Sequence, residues 1–85
     1  MSKYKLDLSE RLLEYASAII KLSDTMTNTY AGKYIAGQLL RAACSAGANY
    51  EEACGAESRA DFIHKLQIVL KELKEALFWL KLADK

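Results

Sequence analysis

Few residues in this chain have types and spacings that could do covalent chemistry. His64 is the only histidine. Glu51 and Glu52 are adjacent, so on a helix their carboxylates diverge by about 100° instead of converging on one reacting atom. Cys44 and Cys54 lie ten residues apart in a stretch that reads as a single helix. That places them roughly 15 Å apart along its axis, beyond the Cα separation of about 7 Å that a disulfide tolerates. No nearby Cys or His completes a zinc ligand set, and both thiols read as small buried side chains. No glycine-rich phosphate loop occurs. These observations argue against an enzyme, a cofactor and a small-molecule substrate.

Two other constellations could act without catalysis. Gln38, Arg41, Ser45, Asn49 and Glu52 step by three and four residues and so share one side of a helix. They form either a row of donors and acceptors for a ligand or nucleic acid, or a hydrogen-bonded line at a helix–helix or subunit boundary. The boundary reading is preferred, because buried polar groups in bundles must be paired. Farther on, Lys71, Lys74, Lys81 and Lys85 surround Phe78 on one flank of a helix, a candidate basic strip for RNA or DNA. The ordinary alternative is a solvated face.

The elements that must position these residues are helices. The chain has no proline and four glycines in 85 residues, and 52% of it is apolar, which favours long helices over short strands. Helix 1 is expected over about 8–24, with Asp7 as cap and Glu10 reaching back to it. Helix 2 is expected over about 31–54, with Gly55 in the left-handed position after it. Helix 3 is expected over about 59–84, started by Ser58 with Asp61 three residues on. Along helix 2, Ile35, Leu39, Ala42, Ala43, Ala46, Tyr50 and Ala53 fall on one face, mostly of small residues, with Gly47 on its flank; this predicts a close helix–helix seam. On helix 3 the stripe is Phe62, Leu66, Val69, Leu73, Ala76 and Leu80, broadened by Ile63, Leu70 and Leu77. Ile68, Phe78, Trp79 and Leu82 then fall on the opposite side and are candidates for an oligomer interface. The predicted fold is all-α, an antiparallel up-down helical bundle forming one domain over residues 1–85.

Charge and hydropathy narrow the partners. Twelve Lys and Arg face eleven Asp and Glu, and residues 1–24 carry four of each sign. A net charge of +1 gives only weak general support for nucleic-acid binding. No run approaches the roughly 18 apolar residues of a membrane span, and the start MSKYKLDLSE lacks a signal-peptide core. A soluble, cytoplasmic protein is expected.

The segment QLLRAACSAGANYEEACGAESRADFIHKLQIVLKELKEALFWLKL resembles the bacterial four-helix-bundle proteins encoded within intervening sequences of 23S ribosomal RNA genes. These are in turn similar to the accessory variability determinant proteins of diversity-generating retroelements. The resemblance rests on the arginine of QLLRAA, the SxGAN turn of helix with its following Glu, and the SRADF start of helix 3. It implies an up-down bundle that assembles into a ring, typically a homopentamer, without enzymatic activity. The retroelement relatives look like basic-surfaced adaptors for nucleic acid and a reverse transcriptase. Arg41, Asn49 and Glu52 match the family's polar helix positions, and Ser58 and Phe62 its helix-3 start. Two departures stand out. Ala56 and Glu57 replace basic residues common in relatives, and the family usually has a fourth helix beyond the three read here. The expected function is therefore a homo-oligomeric adaptor for nucleic acid or a nucleic-acid enzyme, and the alternative is a protein-interaction module with no nucleic-acid role.

Overall fold

A computed structural model describes the backbone of residues 3–85 and the side chains of residues 7–85. Three helices follow one another, α1 (Lys3–Asp24), α2 (Tyr30–Cys54) and α3 (Arg59–Asp84), with no strand among the described residues. They run up, down and up in a body of 44 × 21 × 16 Å.

The helix ends follow from local chemistry. Thr25 Oγ1 donates to the Leu22 carbonyl at 2.7 Å, which satisfies one of the carbonyls orphaned at the end of α1. Thr29, extended at φ −130° and ψ 161°, caps α2 by accepting from the Gly32 amide at 2.9 Å. Gly32 is required there, because a Cβ would overlap the Met26 carbonyl oxygen. Ser58 caps α3 through the Asp61 amide at 3.0 Å, as its sequence position predicts.

Two expected end signals are corrected. Asp7 does not cap α1, because the helix already begins at Lys3. The Asp7 carboxylate instead pairs with Arg11 Nε one turn on, at 3.0 Å. Gly55 does not adopt a left-handed conformation; its φ is −102°, its amide donates to the Glu52 carbonyl and the Ala56 amide to that of Ala53. The helix closes with ordinary backbone torsions, so the glycine there is not conformationally obligatory.

The core is built on α2. Ala36, Leu39, Ala42, Ala43, Ala46, Tyr50 and Ala53 are buried, and side chains this small let neighbouring helices approach closely. One cluster joins Ile19 of α1, Leu39, Ala42 and Ala43 of α2, and Ala76 of α3. A second joins Leu12, Ala46, Tyr50 and Val69. Both α1 and α3 lie along α2, and no Cα of α1 comes within 8 Å of one in α3. Ser23 ties α1 to α2, its hydroxyl donating to the Ala36 carbonyl at 3.5 Å.

The thiols differ from expectation. Cys44 is exposed and Cys54 half-buried, because the buried arc of α2 passes through Ala42, Ala43 and Ala46 and turns Cys44 outward. Gly47 does not mark the closest approach of the helices either. A Cβ there would meet only the Leu12 Cβ, at 4.0 Å.

This packing makes opposite predictions for two adjacent residues. Ala46→Leu forces a larger side chain into the seam and should destabilise the fold by about 1–3 kcal/mol. Gly47→Ala should be neutral or stabilise it by up to about 1 kcal/mol through helix propensity. Urea denaturation of the two variants checks the assignment, and a loss of stability in Gly47→Ala comparable to that of Ala46→Leu contradicts it.

Candidate interaction surface and the Arg41 network

The polar stripe of α2 faces α3. Arg41, half-exposed on α2, reaches two carboxylates one turn apart on α3. Its Nη1 donates to Glu72 Oε2 at 3.1 Å and to Glu72 Oε1 at 3.4 Å, and its Nη2 to Glu75 Oε2. Its Nε donates to Gln38 Oε1 at 3.4 Å. The Glu72 side chain is only 10% exposed, so the planar guanidinium fork supplies the charge that makes its burial tolerable. Glu52 pairs with Lys65 Nζ of α3 at 2.6 Å. Asn49 turns back on its own helix and donates to the Ser45 carbonyl at 2.9 Å and to Ser45 Oγ at 3.1 Å. Of the five stripe residues, Arg41 and Glu52 thus bridge α2 to α3, while Gln38, Ser45 and Asn49 pair within α2.

Glu72 and Glu75 are the partners that sequence reasoning missed. A signal was present, since Val69, Glu72 and Ala76 are spaced three and four and are the buried residues of α3. With Glu72 at the centre, α3 is rotated relative to the predicted stripe. Phe62, Ile63, Leu70 and Leu77 are exposed, and Ile68 and Trp79 turn partly inward.

Trp79 therefore does not stand free as an interface residue. It packs on the cluster containing Ile19, Leu39 and Ala76, and its indole Nε1 donates to Glu75 Oε2 at 3.1 Å. Tyr34 meets its ring edge-on at 5.8 Å between centroids and Phe78 does so at 5.0 Å, arrangements favoured by the ring quadrupoles. Phe78 and Leu82 remain exposed.

The electrostatics centre on Glu75. Hydrogen bonds from Trp79 and then Arg41, aided by the charges of Arg41 and Lys71, hold its carboxyl below the ordinary range. The hydrogen bond to Glu75 likewise leads the causes that raise the Arg41 pKa. Lys71, Lys74, Lys81 and Lys85 are all exposed, and none forms a salt bridge among the described residues. His64 is exposed. No group of three or more potential metal ligands occurs among the described residues, and no described helix is long and apolar enough to cross a membrane.

A second surface lies on the other side of α2. Leu13 and Ile20 of α1, with Cys44, Gly47, Ala48 and Glu51 of α2, line an apolar groove of about 420 Å³. Leu13 and Ile20 are exposed, and their seven-residue spacing was the unread signal for this groove.

The all-α architecture accords with the comparisons. The family described as 23S rRNA-intervening sequence protein matches residues 4–85. The chain belongs to this family. It is also similar to the crystal structure, at 1.70 Å resolution, of a protein with unknown function from the S23 ribosomal protein family of Bacteroides thetaiotaomicron VPI-5482. The two share 41% identity with a TM-score of 0.85, over 92% of this chain and 70% of that one. No curated protein matches. For this member of the 23S rRNA-intervening sequence family, the tie between QLLRAA and the third helix is the contact of Arg41 with Glu72 and Glu75.

Removing Arg41 leaves Glu72 buried without its counter-charge. Arg41→Ala should cost about 1–3 kcal/mol, and Lys65→Ala, whose partner Glu52 is largely exposed, clearly less. A lowered folded-state pKa means that the contribution of Glu75 is present above the ordinary Glu pKa of about 4.3 and lost as pH falls through the lowered value. Melting temperatures followed by circular dichroism into this acid range should therefore drop less steeply for Glu75→Gln than for the unaltered protein. Parallel pH profiles would remove Glu75 from the network.

Proposed function

We propose that this chain is a non-enzymatic, homo-oligomeric helical-bundle adaptor of the cytoplasm. The observation that carries this reading is the apolar surface left by the α2-centred packing. Leu8 and Leu22 of α1, with Ile63, Leu70 and Leu77 of α3, are 39–55% exposed. Apolar exposure of this extent in a small chain marks contact surfaces. Arg41, Glu75 and Lys65, whose pKa values are altered, sit in helix-to-helix pairs, an arrangement that holds helices together. The resemblance to ring-forming relatives supports self-association, with a homopentamer as the expected form.

For the outward partner, a protein is favoured, and the resemblance to retroelement accessory proteins makes a nucleic-acid enzyme such as a reverse transcriptase the leading candidate. Phe78, the aromatic of the lysine strip, is engaged edge-on with Trp79, which reduces its use as a base-stacking platform. Glu57 and the net charge of +1 point the same way. Direct binding of RNA or DNA through Lys71, Lys74, Lys81 and Lys85 is the second reading, favoured by the absence of salt bridges at these lysines among the described residues.

Sedimentation equilibrium at micromolar concentration should give a mass well above the 9.5 kDa of one chain, and a stable, folded monomer would overturn the proposal. Fluorescence anisotropy with RNA and DNA at low salt separates the partner readings. The protein-partner reading expects little binding. Affinity that falls steeply with salt, and whose salt dependence flattens in Lys74→Gln/Lys81→Gln, would put nucleic acid first.

A further inference from the structure

We propose that the outer face of α2 around Gly37 seats an acidic amphipathic helix of a partner protein. The proposal rests on the protein-partner reading and names the seat and the chemistry of its occupant. This surface is separate from the α1–α2 groove and from the exposed ridge of Leu70 and Leu77 on α3.

Gly37 lies inside α2, where glycine is less favourable than alanine because it gives up more backbone freedom on folding. Other glycines of the chain have a place in its own structure. Gly32 has no room for a Cβ, Gly47 lines the α1–α2 groove, and Gly55 lies just past the end of α2. Gly37 is exposed, and a Cβ built on it would meet nothing within 4 Å. The fold itself therefore gains nothing from a glycine at this position. What the residue provides is a bare notch of helix backbone open to the outside, and such a notch lets a second helix approach closely.

The surroundings of the notch define its occupant. On a helix the neighbours of Gly37 are three and four residues away: Lys33, Tyr34, Leu40 and Arg41. Tyr34, 55% exposed, and Tyr30, 88% exposed one turn before it, form a wall at one end. Trp79 meets the Tyr34 ring edge-on at 5.8 Å, so the wall loses little freedom when a partner packs on it. Exposed tyrosines of this kind are common anchors of protein interfaces. Lys33 is exposed and forms no salt bridge among the described residues, and the first turn of α2 holds no acidic residue. Glu72 and Glu75 of α3 are held by Arg41. The face thus offers a cation without a carboxylate, and an acidic side chain on the flank of a docked helix supplies one. A single lysine is too few for a phosphate backbone, whose affinity grows with the number of cations engaged. Two copies joined through this face would crowd their Lys33 ammonium groups together.

Selection of helical peptides from a phage-displayed library on the whole protein tests the seat. Enriched peptides should carry an apolar stripe flanked by Asp or Glu. Trp79 is the only tryptophan and touches Tyr34, so its emission reports the binding of a tryptophan-free peptide. Gly37→Leu fills the notch while favouring the helix. It should weaken the enriched peptides by about tenfold or more, with circular dichroism and sedimentation mass unchanged. Lys33→Glu should weaken them as well and shift the preference to counterparts in which lysines replace the acidic residues. Enriched peptides that bind Gly37→Leu as tightly as the unaltered protein overturn the seat and leave the protein-partner reading standing. Failure to enrich any helix overturns both. A changed sedimentation mass in Gly37→Leu gives the face to a second copy, and RNA or DNA affinity lost in that variant gives it to nucleic acid; either result overturns the proposal.

Discussion

Because Ala36, Ala42, Ala43, Ala46 and Ala53 present only methyl groups, both α1 and α3 can lie against α2, and every other feature of the molecule inherits that geometry. A face of alanines brings helix backbones close but removes little apolar area per residue from water. Among the described residues, Leu39 is the one large side chain that is fully buried. Leu12, Ile19 and Val69 are buried against the alanine face, but Leu13, Ile20, Leu70 and Leu77 have no third layer to enter, and they stay on the flanks. Limited burial and exposed flanks thus have the same cause, the small size of the residues along the central helix.

A smooth alanine face does not fix the rotation of the helices that lie on it. For α3 that task falls to Arg41. Its fork holds Glu72 and Glu75, Glu75 in turn accepts from the Trp79 indole, and Trp79 is packed between Tyr34 and Phe78. A rotation of α3 by one residue, about 100°, would withdraw both carboxylates from the guanidinium and lift the indole off the core. The network is a register device at least as much as a source of stability, which is the best-attested use of partly buried charges in helical assemblies.

The same network explains how much could be read from the residues alone. Three helices, the Ser58 cap and the alanine seam were legible, because caps and periodic apolar positions act locally. The rotation of α3 was not. Hydropathy ranks Leu73, Leu77 and Leu80 above Glu72, and only the presence of Arg41 on a different helix reverses that order at position 72. The cap at Asp7 failed for a related reason, since a helix-forming stretch ahead of it takes up the backbone and leaves Asp7 to Arg11. Of the candidate site, the existence of an α2 stripe could be found by its spacing. Its partners could not, because they depend on which faces of two helices meet. The groove was readable only as a pair of leucine-sized residues seven apart, a pattern that an ordinary buried stripe also produces.

The exposed apolar residues are arranged, and the arrangement bears on what they are for. A surface that was merely underpacked would scatter its apolar side chains among charges of both signs, giving any hydrophobic partner a similar foothold. Here the ridge of α3 carries lysine beside leucine at two successive seven-residue steps, whereas the groove wall of α1 carries glutamate beside its first leucine. Apolar contact alone has little direction and would admit many partners. Lysines on one face and glutamates on the other make like-face encounters unfavourable. The placing of these lysines and glutamates on different sides of α2 keeps one chain from pairing them by itself.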